Sequence, residues 1–157
     1  CKNNFMLQYL REGTIMRRIG NTLFVHGGIN DLNLGCVPGD DRIRENLDEW
    51  IEDLNLWKSQ QLDEYERNPT WSNFDEELHV GKRGGNAFID YGTPGGNNDK
   101  TVIYAYHLPN GNAEDLSEKT IQYLTKGGVN RVIVGHQPHG DCPSVIASND
   151  FVQIVTG

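Results

Sequence analysis

The stretch Asn21-Thr22-Leu23-Phe24-Val25-His26-Gly27-Gly28-Ile29 decides the reading of this chain. Its centre is apolar, β-prone and too short for a helix, and a glycine pair closes it. It reads as a buried strand over 22–25 that delivers a histidine at its C-terminal end. The stretch Arg131-Val132-Ile133-Val134-Gly135-His136 repeats that design 110 positions later. Ligand sites of open α/β sheets gather outside the carboxyl ends of strands. A glycine beside each histidine permits close backbone approach. Neutral imidazole is the commonest protein ligand of divalent transition metals. The pattern makes His26 and His136 candidate ligands of one metal. Spacing alone does not bring them together, and for each taken singly the ordinary alternative is a hydrogen-bonded structural histidine.

Outward from these two strands the pattern predicts further elements. Ile43, Leu47, Trp50, Ile51, Leu54 and Trp57 step by three or four, which predicts a helix over 41–65. Pro38 with Asp40 or Asp41 supplies its start and Asn68-Pro69 its stop. A strand is predicted over 101–106 and a helix over 114–126, capped by Asn112 and stopped by Gly127-Gly128. Residues 144–146 and 151–155 read as a closing hairpin that turns at Asn149-Asp150. The order strand, helix, strand, helix, strand, hairpin predicts an α/β or mixed α+β fold. The tract 92–99, rich in Gly, Asn and Pro, reads as a loop.

Composition bounds the function. The 157 residues suit one domain, or part of one, able to bury a core without disulfides. The 22 acidic against 14 basic residues leave a net charge of −8, which argues against a broad grip on nucleic acid or an anionic membrane. The longest apolar run, residues 102–106, falls far short of the roughly 20 residues of a membrane helix. Three cysteines, at 1, 36 and 142, have no zinc spacing and read as free thiols of a reducing compartment, so a cytoplasmic location is expected.

The blocks Asn21-Thr-Leu-Phe-Val-His-Gly-Gly-Ile29 and Arg131-Val-Ile-Val-Gly-His-Gln-Pro138 resemble the last two signature blocks of the calcineurin-like metallophosphoesterases. The protein-phosphatase branch, in particular its bacterial-like (Shewanella-like) members, is the nearest in pattern. The resemblance runs from about Ile15 through most of the chain. It implies a β-sandwich flanked by helices (αββα), in which His26 and His136 each bind the second ion of a dinuclear centre of Mn, Fe or Zn. It implies hydrolysis of phosphomonoesters, with a phosphorylated protein or a small phosphomonoester as substrate.

The family's earlier blocks, of the form Gly-Asp-x-His-Gly, Gly-Asp-x-x-Asp-Arg-Gly and Gly-Asn-His-Glu, do not occur in the 157 residues. Residues 1–157 are therefore expected to be the C-terminal part of a single catalytic domain. They would have little activity alone, and no catalytic residue is assigned in them. A half-domain of this kind is expected to associate through its exposed half-sheet. Two alternatives stand beside the phosphoprotein phosphatase: a nucleotide or dinucleoside-polyphosphate hydrolase of the same superfamily, and a non-catalytic half-domain that binds a partner.

The family tends to carry a tryptophan followed closely by an arginine between the two histidine blocks. Here Trp71 is present, but Asn73 stands where the arginine would be. The nearest basic pair is Lys82-Arg83, before Gly84-Gly85, and makes Arg83 the candidate substrate-binding residue; a solvated charge pair is the alternative. Asn30 and Asp31 are candidates to orient His26 from behind or to cap the following turn. His139 reads as a rim residue, His107 as a structural or loop residue and His79 as a surface residue. The acidic positions Glu45, Asp48, Glu49, Glu52 and Asp53 read as a solvated helix face.

Overall fold

The computed structural model describes residues 5–75, 80–93, 100–105, 114–136 and 141–156. Helix α1 is Phe5–Glu12, and strands β1 (Met16–Ile19) and β2 (Thr22–Val25) follow. Helix α2 (Leu47–Arg67) is the longest element. After it come a hairpin of β3 (Ser72–Asp75) and β4 (Val80–Lys82), the short helix α3 (Asn86–Tyr91), helix α4 (Glu118–Lys126), β5 (Arg131–Val134), β6 (Ser144–Ser148) and β7 (Phe151–Val155). The main sheet has five strands in the order β1-β2-β5-β7-β6. β2, β5 and β7 run parallel, and β1 and β6 are antiparallel at the two borders. The fold is mixed α/β.

Strand register explains the two faces of this sheet. Met16, Leu23, Val25, Val132, Val134, Phe151 and Val155 share one face, and all are buried in a single cluster with Leu47, Trp50, Leu54 and Trp57 of α2 and Leu124 of α4. Trp50 meets Tyr123 edge to face at 5.9 Å, and its indole donates to the Cys36 carbonyl at 2.8 Å, so its polar edge is satisfied inside the core. Residues of the opposite register, among them Phe24, Ile133, Val152 and Ile154, form the other face. Phe24 stays 37% exposed and the other three are half-buried. Among the described residues no helix covers that face with a comparable cluster.

Four predicted elements differ in extent, the strand predicted over 144–146 only by running on to Ser148. The helix predicted over 41–65 begins at Leu47, because Asn46 caps it by accepting from the Glu49 N–H at 3.0 Å. The preceding segment is tied elsewhere: Arg44 N–H donates to the Gly35 carbonyl and its guanidinium bonds Asp40 and Asp53. Ile43 consequently leaves the apolar face and is 52% exposed. The helix predicted over 114–126 starts at Glu118, where the Ser117 hydroxyl caps the Thr120 N–H; Asn112 lies outside the described residues.

The strand predicted over 101–106 does not form across 101–105. The Thr101 hydroxyl accepts from the N–H groups of Ile103 and Tyr104 and donates to the Tyr91 carbonyl. It takes the groups a ladder would need and bends the chain. Cys36 and Cys142 are free, as expected for thiols without a partner. No helix among the described residues is long and apolar enough to cross a membrane.

Candidate metal centre

The parallel pairing of β2 with β5 puts Val25 beside Val134, so the chain leaves both strands at the same border. The ladder continues one step further: Gly135 N–H donates to the His26 carbonyl at 2.8 Å, and Thr156 N–H to the Val134 carbonyl at 2.8 Å. His26 and His136 meet there with ring centroids 5.2 Å apart and planes inclined at 66°. Two imidazoles on one tetrahedral ion, at metal–nitrogen distances of about 2.0–2.1 Å, have centroids roughly 5 Å apart. The centroid separation is compatible with two positions of one coordination sphere, and equally with an edge-on ring contact. Among the described residues no group of three His, Cys, Asp or Glu side chains gathers closely enough to hold an ion.

His136 has φ 71°, one of two non-glycine residues in the left-handed region among the described residues. Gly135 beside it does not. The histidine itself carries the unfavourable backbone, a conformation seen at ligand sites more than in scaffolds. The Tyr104 ring packs against it at 4.1 Å between centroids. Burial, and after it the nearby His26, pushes the His136 pKa below its ordinary value. The imidazole is thus neutral at neutral pH, with a lone pair to donate.

Gly27 is held from the far side. Its N–H and that of Gly28 both donate to the Val102 carbonyl, at 2.8 and 3.2 Å. A Cβ on Gly27 would stand 2.5 Å from the Ile103 carbonyl oxygen and 2.7 Å from the Ala105 nitrogen. The bend at 101–105 therefore fits only against a glycine, and it carries Tyr104 to His136. On its other flank His26 opens on a cavity of about 430 Å³ lined by Ile15, Phe88, Ile103, Lys58 and the end of α1. Lys58 is saturated by the carbonyls of Leu10, Arg11 and Gly13, closing the C-terminus of α1.

The other sequence candidates lie elsewhere or act otherwise. The Asn30 side chain accepts from the N–H groups of Leu32 and Asn33, and so builds the turn after the strand. Asp31 accepts from the hydroxyls of Ser117 and Thr120, which holds its pKa below the ordinary carboxylate value and locks the start of α4. Among the described residues these bonds run to the turn and to α4, not to His26. Arg83 lines a different cavity, against Glu64, Arg67 and Asn68 at the C-terminal end of α2. The acidic helix face is met by arginines: Arg18 on Asp48, and Arg42 on Glu49 and Asp53. His79, His107, His139 and positions 94–99 of the glycine-rich tract lie outside the described residues. Tyr104 was missed by sequence reasoning, since its role depends on a bend that its apolar neighbours do not announce.

Comparison of the chain with protein-family models, with curated proteins and with solved structures gave no match.

Proposed function

We infer that His26 and His136 are two ligands of one divalent ion in a metal-dependent phosphoesterase, of which these residues form the C-terminal part. A phosphoprotein phosphatase of the calcineurin-like kind is the reading the sequence blocks favour. One observation carries it: two histidines 110 positions apart stand 5.2 Å apart between ring centroids at the carboxyl ends of adjacent parallel strands. The sheet face that no helix covers among the described residues supports the αββα part of the reading. Phe24, Ile133, Val152 and Ile154 present the alternating apolar residues on which a second sheet packs.

When bound, a dinuclear Mn, Fe or Zn centre supplies charge neutralisation for the phosphoryl oxygens and a water acidic enough to attack phosphorus. The residues of this chain do simpler work. His26 and His136 present nitrogen donors from rigid strand ends. Tyr104 shields one side of His136, and Gly27 lets the bend that bears Tyr104 close. Among the described residues no carboxylate ligand gathers at the pair, and no proton donor for the leaving group is assigned. A second reading, a non-catalytic half-domain that binds a partner, is favoured by the same uncovered face.

Zn²⁺ or Mn²⁺ titration of the chain, followed by calorimetry, tests the centre. Saturable binding near one ion per chain is expected, lost in the double variant His26→Ala/His136→Ala. Undiminished binding by that variant would overturn the assignment. Hydrolysis of p-nitrophenyl phosphate by these residues alone is expected to stay near background. Turnover at enzymatic rates would show that other residues of this chain complete the site.

A further inference from the structure

The β3–β4 hairpin returns the chain to the end of α2, and there it sets Arg83 against two aromatic rings. The guanidinium carbon lies 4.5 Å from the Trp71 ring centroid and 5.1 Å from that of Tyr65. Such stacking fixes the plane of the guanidinium and limits its side-chain freedom. The following backbone is fixed as well. Gly84 N–H donates to the Asn68 carbonyl at 2.8 Å, and a Cβ on Gly84 would fall 1.9 Å from the Glu64 carbonyl oxygen. Arg83 is therefore a preset donor and does not ride on a flexible glycine loop.

Arg83, Lys82, Arg67 and Ser72 line one cavity of about 430 Å³, with Asn68 and Glu64. Glu64 is partly engaged by Gln61, which donates to it at 3.1 Å. The three cations outnumber that carboxylate in a chain of net charge −8. Arg11, Arg18, Arg42 and Arg44 each pair with carboxylates, whereas among the described residues Arg67, Lys82 and Arg83 pair with none. The Arg83 Nε is buried and has no hydrogen-bond acceptor. Among the described residues three cations thus face one carboxylate, and a rigid arginine in such a setting matches a phosphate dianion, which guanidinium recognises through paired N–H donors. Two further features suit a polypeptide. Trp71 is 40% exposed beside the cations, offering an apolar shelf. Among the described strands the two-stranded hairpin has no further neighbour, which leaves a side of each strand for an extended segment.

We propose that the cavity between the end of α2 and the β3–β4 hairpin is a phosphate-binding site that takes the phosphoryl group of a phosphorylated polypeptide. It is separate from the histidine pair and does not need a metal there. Sodium phosphate titration at fixed ionic strength in excess EDTA, followed by NMR at the Trp71 indole N–H and the Arg83 Nε–H, tests it. Saturable shifts at both groups are expected, and they persist in His26→Ala/His136→Ala. Arg83→Gln weakens binding about tenfold or more, the loss expected for charge-assisted hydrogen bonds. Lys82→Gln, at an exposed position that disturbs no packing, weakens it severalfold and keeps the test open if Arg83→Gln fails to fold. A phosphoserine peptide binds more tightly than inorganic phosphate, and its unphosphorylated counterpart does not bind. Absence of saturable shifts, or equal affinity in Arg83→Gln and Lys82→Gln, overturns the site. Loss of binding in the histidine variant overturns its separateness. A peptide that binds no better than inorganic phosphate overturns the polypeptide as its source. A failed metal titration at the histidine pair would leave each of these outcomes readable.

Discussion

The chain leaves β2 and β5 through the same pattern of apolar strand, glycine and histidine, yet the two exits are built differently. At the β2 exit the glycine is the constrained residue. The bend at 101–105 presses on Gly27 so closely that no side chain fits, while His26 beside it stays exposed. At the β5 exit the histidine is the constrained residue. His136 holds a positive φ, is packed by Tyr104 and loses proton affinity, while Gly135 has ordinary space: the nearest atoms to an added Cβ lie 3.6 Å away. Similar letters thus place one imidazole at an exposed position and the other in a packed one.

The largest effect should separate the two glycines. Gly27→Ala must push the bend at 101–105 away and is expected to cost about 3 kcal/mol in urea unfolding. Gly135→Ala should stay within about 0.5 kcal/mol of the parent. Equal costs would erase the distinction. Next come the histidines. Replacing either by alanine should weaken Zn²⁺ binding by at least the roughly ten- to hundredfold that loss of an outer-shell partner brings. His136→Gly should also hold or raise stability, by up to about 1 kcal/mol, because glycine accepts its φ. A clear loss of stability there would mean the ring contacts outweigh the backbone strain.

Thr101→Val tests the packed position through its support. Losing the hydroxyl that organises the bend should cost about 1–3 kcal/mol and lower metal affinity. Unchanged affinity would show that Tyr104 does not position His136. The smallest effect is a pH dependence measured in chelator. Folding depresses the His136 pKa, so the unfolded chain binds this proton more readily. Stability from this group is present above the ordinary 6.5 and is lost as pH falls through the folded value. His136→Gln should flatten that acid limb, and His26→Gln should flatten part of it, since His26 is the second cause of the shift.

Much of this contrast was hidden in the sequence for identifiable reasons. The strands 22–25 and 131–134 and the closing hairpin were legible because continuous apolar runs ended at strong turn residues. Asn149, at φ 55°, takes the left-handed turn conformation its type tolerates. β1 was missed although Gly20-Asn21 is a two-residue hairpin signal, because Met16-Arg17-Arg18-Ile19 alternates too weakly. The strand expected over 101–106 failed because one hydroxyl outcompeted a ladder. His26 and His136 were each legible as strand-end histidines. Their adjacency was not, because it follows from the parallel pairing of β2 with β5. The relation of Arg83 to Trp71 was likewise invisible, since a hairpin with no alternating pattern folds it into place.

The Asn55 side chain of α2 bonds the backbone of Ile15 and Met16, at 2.8 and 2.9 Å, along the outer side of β1. A foreign strand that paired with Ile15 and Met16 would have to displace it. At β6, the opposite border, no described strand stands outside Ser144–Ser148. Among the described residues the sheet therefore has an end that is tied at its start and an end that is open, like a zipper with its stop sewn in. Growth by strand addition is directional: two copies joined through β6 would use up both open ends, and such an assembly stops at a pair instead of running on into a fibre.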